Sequence, residues 1–214
     1  NEVMKALLER RTIRQYEDKA VPAELIEQIV EAGLYAPSSM GKQNSKIVVI
    51  TDKELIHELS VVNNEIGAAE GNDPFYGAPV VLLVLGYTGL GKQKYDGSVV
   101  MENLMLAAHS LGLGSCWVHR AKEELEKPVG KKIFDKIGLS ADEWEGIGNC
   151  IIGYPKGEAP KAAARKEDRV YHIDNKKAIR VSIANKKESD IYRFPFCSLM
   201  IAFATLIVLV ISAR

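Results

Sequence analysis

Apolar residues recur along this chain in two periods, and the period marks each element. Val3, Met4, Leu7 and Leu8 fall at helical spacing and predict an opening amphipathic helix. Leu25, Ile26, Ile29, Val30 and Leu34 repeat that spacing after Pro22, which suits a helix start because its missing N–H is not needed there. Gly33 weakens this helix and Pro37 stops it, so 37–44 reads as a polar loop. Residues 46–51 and 80–85 are apolar runs of strand length, and the second, bounded by turn residues, reads as buried on both faces. Between them the pattern predicts a short helix over 53–59 and a loop-rich stretch over 63–77. Val99, Met101, Leu104, Met105, Ala108 and Leu111 predict a strongly apolar central helix, ended by Gly112 and Gly114. Residues 115–119 and 149–154 are two further strands. Residues 123–137 read as helical with breaks at Pro128 and Gly130. Helices and strands mix without a βαβ rhythm, which favours an α+β fold.

Composition narrows the class. A chain of 214 residues suits one domain, hiding roughly 70% of its unfolded surface. With 28 Lys plus Arg against 28 Asp plus Glu, it lacks the basic excess of a general nucleic-acid binder, so none is expected as a partner. Cys116, Cys150 and Cys197 read as apolar fillers in a reducing compartment. No charged-then-apolar leader pattern opens the chain, so the body is expected in the cytoplasm. The distribution is uneven. Residues 1–172 have a mixed α/β composition, 173–193 form a polar linker, and 194–214 form an apolar tail between Arg193 and Arg214. That tail reads as a membrane anchor, a buried terminal element or a non-native end. A membrane enters only if the tail is genuine.

Candidate chemistry concentrates at Arg10, Arg11 and Arg14 around Thr12. A hydroxyl among guanidinium groups suits a phosphate; the other reading is a solvated helix end. Arg165, Lys166 and Arg169 form a second basic cluster. Residues 86–92 (GYTGLGK) match a phosphate-loop pattern, but Gln93 stands where Ser or Thr should hold magnesium, and 93–97 reads as a turn. The four His share no zinc-type spacing, so no metal is expected. No nucleophile elbow or dinucleotide fingerprint is present in the sequence.

Several segments together resemble the FMN-dependent nitroreductase family. Residues 10–16 (RRTIRQY) resemble its RRSxRxF opening, and 35–43 (YAPSSMGKQ) its APSxxNxQ loop. Residues 73–79 (DPFYGAP), 96–98 (DGS), 103–108 (NLMLAA), 112–117 (GLGSCW), 146–148 (GIG) and 165–168 (RKED) follow in the family's order. The resemblance covers 1–172. It departs at Gly41, where the family usually has Asn, and at Asn44-Ser45, where Pro-Trp is common.

The resemblance implies a three-layer α-β-α sandwich around a mixed, mainly antiparallel sheet, and a homodimer with FMN at the interface. It implies that Arg10 and Arg165, with Lys166, hold the phosphate, that Thr12 contacts the ribityl or phosphate oxygens, and that Arg11 belongs to the same cofactor site. Arg14 and Asn63 would face the N1/O2 side of the ring. Pro37, Ser38, Ser39 and Gln43 would approach from the other subunit. Trp117, Val118 and His119 would line the ring, with a backbone N–H near His119 directed at N5. The implied activity is ping-pong hydride transfer from NADH or NADPH through flavin N5 to a small nitroaromatic, quinone or similar acceptor, with no catalytic side chain of its own. The alternative is a non-catalytic flavin or nucleotide binder, or a membrane-associated partner protein.

Overall fold

β2 (Val80–Tyr87) fixes the layers. Val81, Leu83 and Leu85 join one buried cluster, while Val80, Leu82 and Val84 join another. Alternate residues of a strand point to opposite faces, so apolar side chains on both require a layer on each side. The sheet runs β1 (Ser45–Ile50), β2, β4 (Trp144–Gly153), β3 (Gly114–Val118), with every neighbouring pair antiparallel. Among the described residues the four-stranded sheet is thus wholly antiparallel rather than mixed, and the one parallel pairing is an isolated bridge outside the strand ladders, Thr12 to Ser115. In this computed structural model the described residues are 1–67, 72–173 and 178–180.

α3 (Lys53–Gly67), α5 (Ala121–Leu125) and α6 (Pro128–Ile137) cover one face, contributing Leu55, Leu59, Leu125, Val129, Ile133 and Phe134. α2 (Ala23–Leu34) and α4 (Gln93–Ser110) cover the other with Ile26, Ile29, Met101, Leu104 and Ala108. This is the expected three-layer α+β sandwich. Leu104 is fully buried and packs where a Cβ on Gly33 would lie 2.6 Å from it, so that glycine sets how closely α2 approaches α4. Truncating such a leucine to alanine costs about 2–5 kcal/mol. α1 (Glu2–Glu9) is different: none of its residues is buried, and Val3, Met4, Leu7 and Leu8 all lie exposed.

Three local expectations are corrected. The helix expected over 53–59 runs to Gly67, because Asn63, a weak helix former, finds buried partners there. Residues 93–97, expected as a turn, open α4, and the bare Gly97 admits Ile147, which would lie 2.6 Å from a Cβ. β4 starts at Trp144 rather than 149; Gly146 and Gly148 pair with β2 on either side of an irregularity, and their missing side chains leave room for the Ala121 backbone and the Trp117 indole.

The chain divides into two compact units, 1–162 and 163–214. In the second, β5 (Tyr171–Ile173) pairs antiparallel with β6 (Ala178–Arg180). The apolar tail at 194–214, most of the polar linker and Cys197 lie outside the described residues. Among the described residues, no helix is long and apolar enough to cross a membrane.

Candidate functional site

α4 organises the site. Lys94, Ser98 and Glu102 follow one another at successive turns, so they share one face, while Asp96 lies on the opposite one. The two carboxylates Asp96 and Glu102 therefore do not form a pair.

At the Glu102 end stands the arginine cluster. α1 ends at Arg10, whose Nε lies 4.0 Å from a Glu102 carboxylate oxygen. Glu102 is half exposed, so this pair is weak. Arg10 Nη1 is buried and has no hydrogen-bond partner among the described residues. A buried guanidinium nitrogen without an acceptor is costly, and an oxyanion is the group that relieves it. Arg11 turns back instead, donating to the Leu8 and Arg10 carbonyls at 2.7 Å, where it caps its own helix. Thr12 is held by its bridge to Ser115, with the Ile13 N–H donating to the Ser115 carbonyl at 2.9 Å. Arg14 is exposed and lines a hollow of about 330 Å³ with Thr12, Gln15 and Lys156.

About 12 Å along α4, two turns toward its N-terminus, the end of β3 borders a groove of about 220 Å³. Trp117, His119, Arg120, Lys94, Ser98 and Gly146 are among its lining residues. Alternation separates the three expected ring contacts. Trp117 and His119 are at the groove, whereas Val118 packs into the core with α3 and α5. Only the Val118 backbone is left to meet a ligand. Cys116 and Cys150 are buried fillers, and burial pushes both thiols up from their ordinary range.

Behind this edge lies a polar network that the sequence did not announce. Asn63 is fully buried. Its amide nitrogen donates to the His119 carbonyl at 2.7 Å and to Glu124, and its oxygen accepts from Arg120 at 3.2 Å. Glu124, also fully buried, accepts from Asn149 at 2.8 Å. Burial lifts the Glu124 carboxyl to about 7, against the opposing pull of the two amides. Asn63 thus faces inward, with a different set of partners from the ring contact that the resemblance implies. The spacing Ala121, Glu124, Leu125 was the available signal, an acid on an otherwise apolar helical stripe.

The 37–43 loop is on the other side of α4. Ser39 donates to Asp96 Oδ1 from its backbone N–H at 3.0 Å and from its hydroxyl at 2.8 Å. The Gln43 N–H donates to Ser38 Oγ at 2.8 Å, and Pro37, Ser38 and Gln43 border a cavity of about 130 Å³ with Asp96. Gly41, the family departure, has φ +63°, a left-handed conformation that Asn also tolerates. The loop shares no lining residue with the Trp117–His119 groove. Arg165 and Lys166 belong to the second unit, where both are exposed and the Arg165 guanidinium donates to the Ala163 carbonyl at 2.6 Å.

The phosphate-loop decoy also resolves. Gly86 lies inside β2, and Gln93, at the magnesium position of that pattern, donates its amide to Glu145 at 3.3 Å. A larger hollow of about 570 Å³, lined by Lys19, His57, Ser60 and Phe75, shares no residue with the site. No cluster of metal-ligating side chains occurs among the described residues.

Residues 7–154 match the Nitroreductase family. A relative from Archaeoglobus fulgidus, provisionally named NADH dehydrogenase/NAD(P)H nitroreductase, is 32% identical over 164 residues, covering 73% of this chain and 87% of the relative. A relative of the same provisional name from Methanothermobacter thermautotrophicus is 34% identical over 120 residues, 54% of this chain; the match spans only 60% of that relative's length. Among solved structures, an FMN-bound nitroreductase from Bacteroides fragilis superposes with a TM-score of 0.73 at 26% identity, covering 81% of this chain and all of the other.

Proposed function

The chain belongs to the nitroreductase family, and from that membership and the geometry above we propose that it is an FMN-dependent NAD(P)H oxidoreductase acting as a homodimer. The observation that carries this reading is the pairing of two features on one face of α4. An unsatisfied buried arginine donor lies at one end and the indole- and imidazole-lined groove at the other. A phosphate on a ribityl arm reaching a flat ring matches that separation.

FMN, when bound, supplies the hydride-accepting and hydride-donating centre between a nicotinamide and a nitroaromatic, quinone or similar small acceptor. Everything else falls to the protein. Arg10 anchors the phosphate, with Thr12 beside it. Arg11 contributes positive charge there while it caps α1. Arg14 supplies a cation for the negative charge that develops on the N1/O2 side. Trp117 and His119 flank the ring, and the Val118 backbone borders it. Asn63 acts from behind rather than by contact.

What one chain leaves incomplete supports the dimer. Ser39 is tied to Asp96 by two hydrogen bonds, and Pro37, Ser38 and Gln43 line a cavity that shares no residue with the groove of their own chain, which supports their meeting the groove of a second copy. The apolar faces of α1 (Val3, Met4, Leu7, Leu8) and α4 (Tyr95, Val99) lie exposed in a single chain and suit that interface. Initial velocities measured with NADH or NADPH against a quinone or nitroaromatic test the proposal. Parallel double-reciprocal lines are expected. Intersecting lines, which require both substrates bound together, contradict it.

A further inference from the structure

The His119–Arg120 peptide is held from one side only. Its carbonyl accepts from Asn63 at 2.7 Å, inside the fold. The peptide is trans, so the Arg120 N–H points the opposite way, away from the buried network. That N–H donates to no acceptor among the described residues. Arg120 takes φ +78°, a left-handed conformation that a residue with a side chain adopts at a cost. Something must hold it, and the surrounding bonds say what. Asn63 Nδ2 is shared between the His119 carbonyl and Glu124, and Asn63 Oδ1 is taken by the Arg120 guanidinium.

We propose that Glu124 is a positioning residue for the flavin edge: by anchoring Asn63 it fixes the His119–Arg120 peptide so that the Arg120 N–H is presented at the Trp117–His119 groove. This rests on the flavin reading above. It goes further by giving the presentation of that donor a cause, and a dependence on protonation.

The groups that reach Glu124 define how it responds. From α3 and β4 these are the amides of Asn63 and Asn149. Within its own turn Arg120 favours the carboxylate and Glu123 opposes it. α6 brings apolar Val129, Ile133 and Phe134 to the same cluster. As a carboxylate, Glu124 accepts from both amides. As an acid it must donate one hydrogen bond, and Asn149 Oδ1, buried with no partner among the described residues, becomes the acceptor once that amide rotates. Burial sets this exchange near neutral pH. The peptide therefore has two states of support, one with both amides donating to a buried anion and one with Asn149 reversed.

The test reads the Arg120 amide directly. Its ¹H–¹⁵N resonance is followed from pH 5.5 to 8.5 in the FMN-free wild-type protein and in Glu124→Gln, and FMN affinity is measured in both and in Glu124→Leu. Comparing the two titrations removes any contribution of the neighbouring His119 imidazole. A wild-type component centred near pH 7 that is missing in Glu124→Gln is expected, with FMN affinity kept in Glu124→Gln and weakened about tenfold in Glu124→Leu. Identical titrations in wild type and Glu124→Gln overturn the proposal, as does undiminished affinity in a folded Glu124→Leu. Should Glu124→Leu not fold, the Glu124→Gln comparison decides. Failure of the wild type itself to bind FMN overturns the flavin reading instead, while the amide titration still reports whether Glu124 governs the peptide.

Discussion

Replacing Glu124 by Gln changes how stability depends on pH, and the structure gives both sign and size. The side chain is fully buried, and burial raises its carboxyl from 4.5 to about 7. Between those two values the native state holds a proton that the unfolded chain has released. Native binding of the extra proton means that stability falls as pH rises through this window, and the loss is complete above about pH 7. For a rise of about 2.5 units the loss between pH 5 and pH 8 is about 2.5 kcal/mol. Gln keeps the shape, offers an acceptor and a donor as the protonated acid does, and removes the charge. The stability difference, Gln variant minus wild type, should therefore grow by about 2.5 kcal/mol from pH 5 to pH 8. With a urea dependence of roughly 2–3 kcal/mol per M, that is a relative midpoint shift of about 1 M. Equilibrium urea unfolding at both pH values, at one fixed protein concentration, measures it, and groups common to the two proteins cancel in the difference. A difference that stays constant between pH 5 and pH 8 would refute the reasoning, because it would mean that Glu124 is ionised in both states throughout.

Other perturbations follow from the same geometry. Arg10→Ala removes the buried donor and should weaken FMN binding about 10- to 100-fold by fluorescence titration; unchanged affinity removes Arg10 from the phosphate site. Gly148→Ala places a Cβ 2.3 Å from the Trp117 indole nitrogen and should cost about 1–3 kcal/mol, with a changed tryptophan emission; an unaltered emission means the indole does not pack there. Leu7→Glu with Leu8→Glu puts charge on the exposed apolar face of α1 and should shift sedimentation toward the monomer and lower flavin content; an intact dimer takes α1 out of the interface.

The parts of the fold that were legible are those set by apolar periodicity. The six buried positions 80–85 announced a strand covered on both faces, and the stripe from Met101 to Ala108 announced a central helix. What stayed hidden depends on tertiary partners. Asn63 ends no helix because Glu124, 61 residues away, and the His119 carbonyl satisfy it. Gly146 and Gly148 fall outside the strand read over 149–154, but they are strand positions where a neighbour occupies the space of the missing side chain. The site divides in the same way. As candidates, Arg10, Thr12 and Arg14 stand out in the sequence because a hydroxyl among guanidinium groups has a chemistry of its own. Asp96 was not, since its work is to hold Ser39, 57 residues earlier, through two hydrogen bonds. The resemblance alone brings Val118 to the ring, whereas its side chain is a core one, because alternation along β3 turns it toward α3 and α5.

Every role assigned above depends on this protein carrying electrons on a bound flavin. The most direct measurement is the visible absorbance of the purified, FMN-loaded protein under anaerobic conditions, before and after NADH or NADPH is added. Flavin bands should bleach with at least one nicotinamide and return when a quinone or nitroaromatic is admitted. Bands that persist with both nicotinamides, or a protein that takes up no FMN, would contradict the flavin reading.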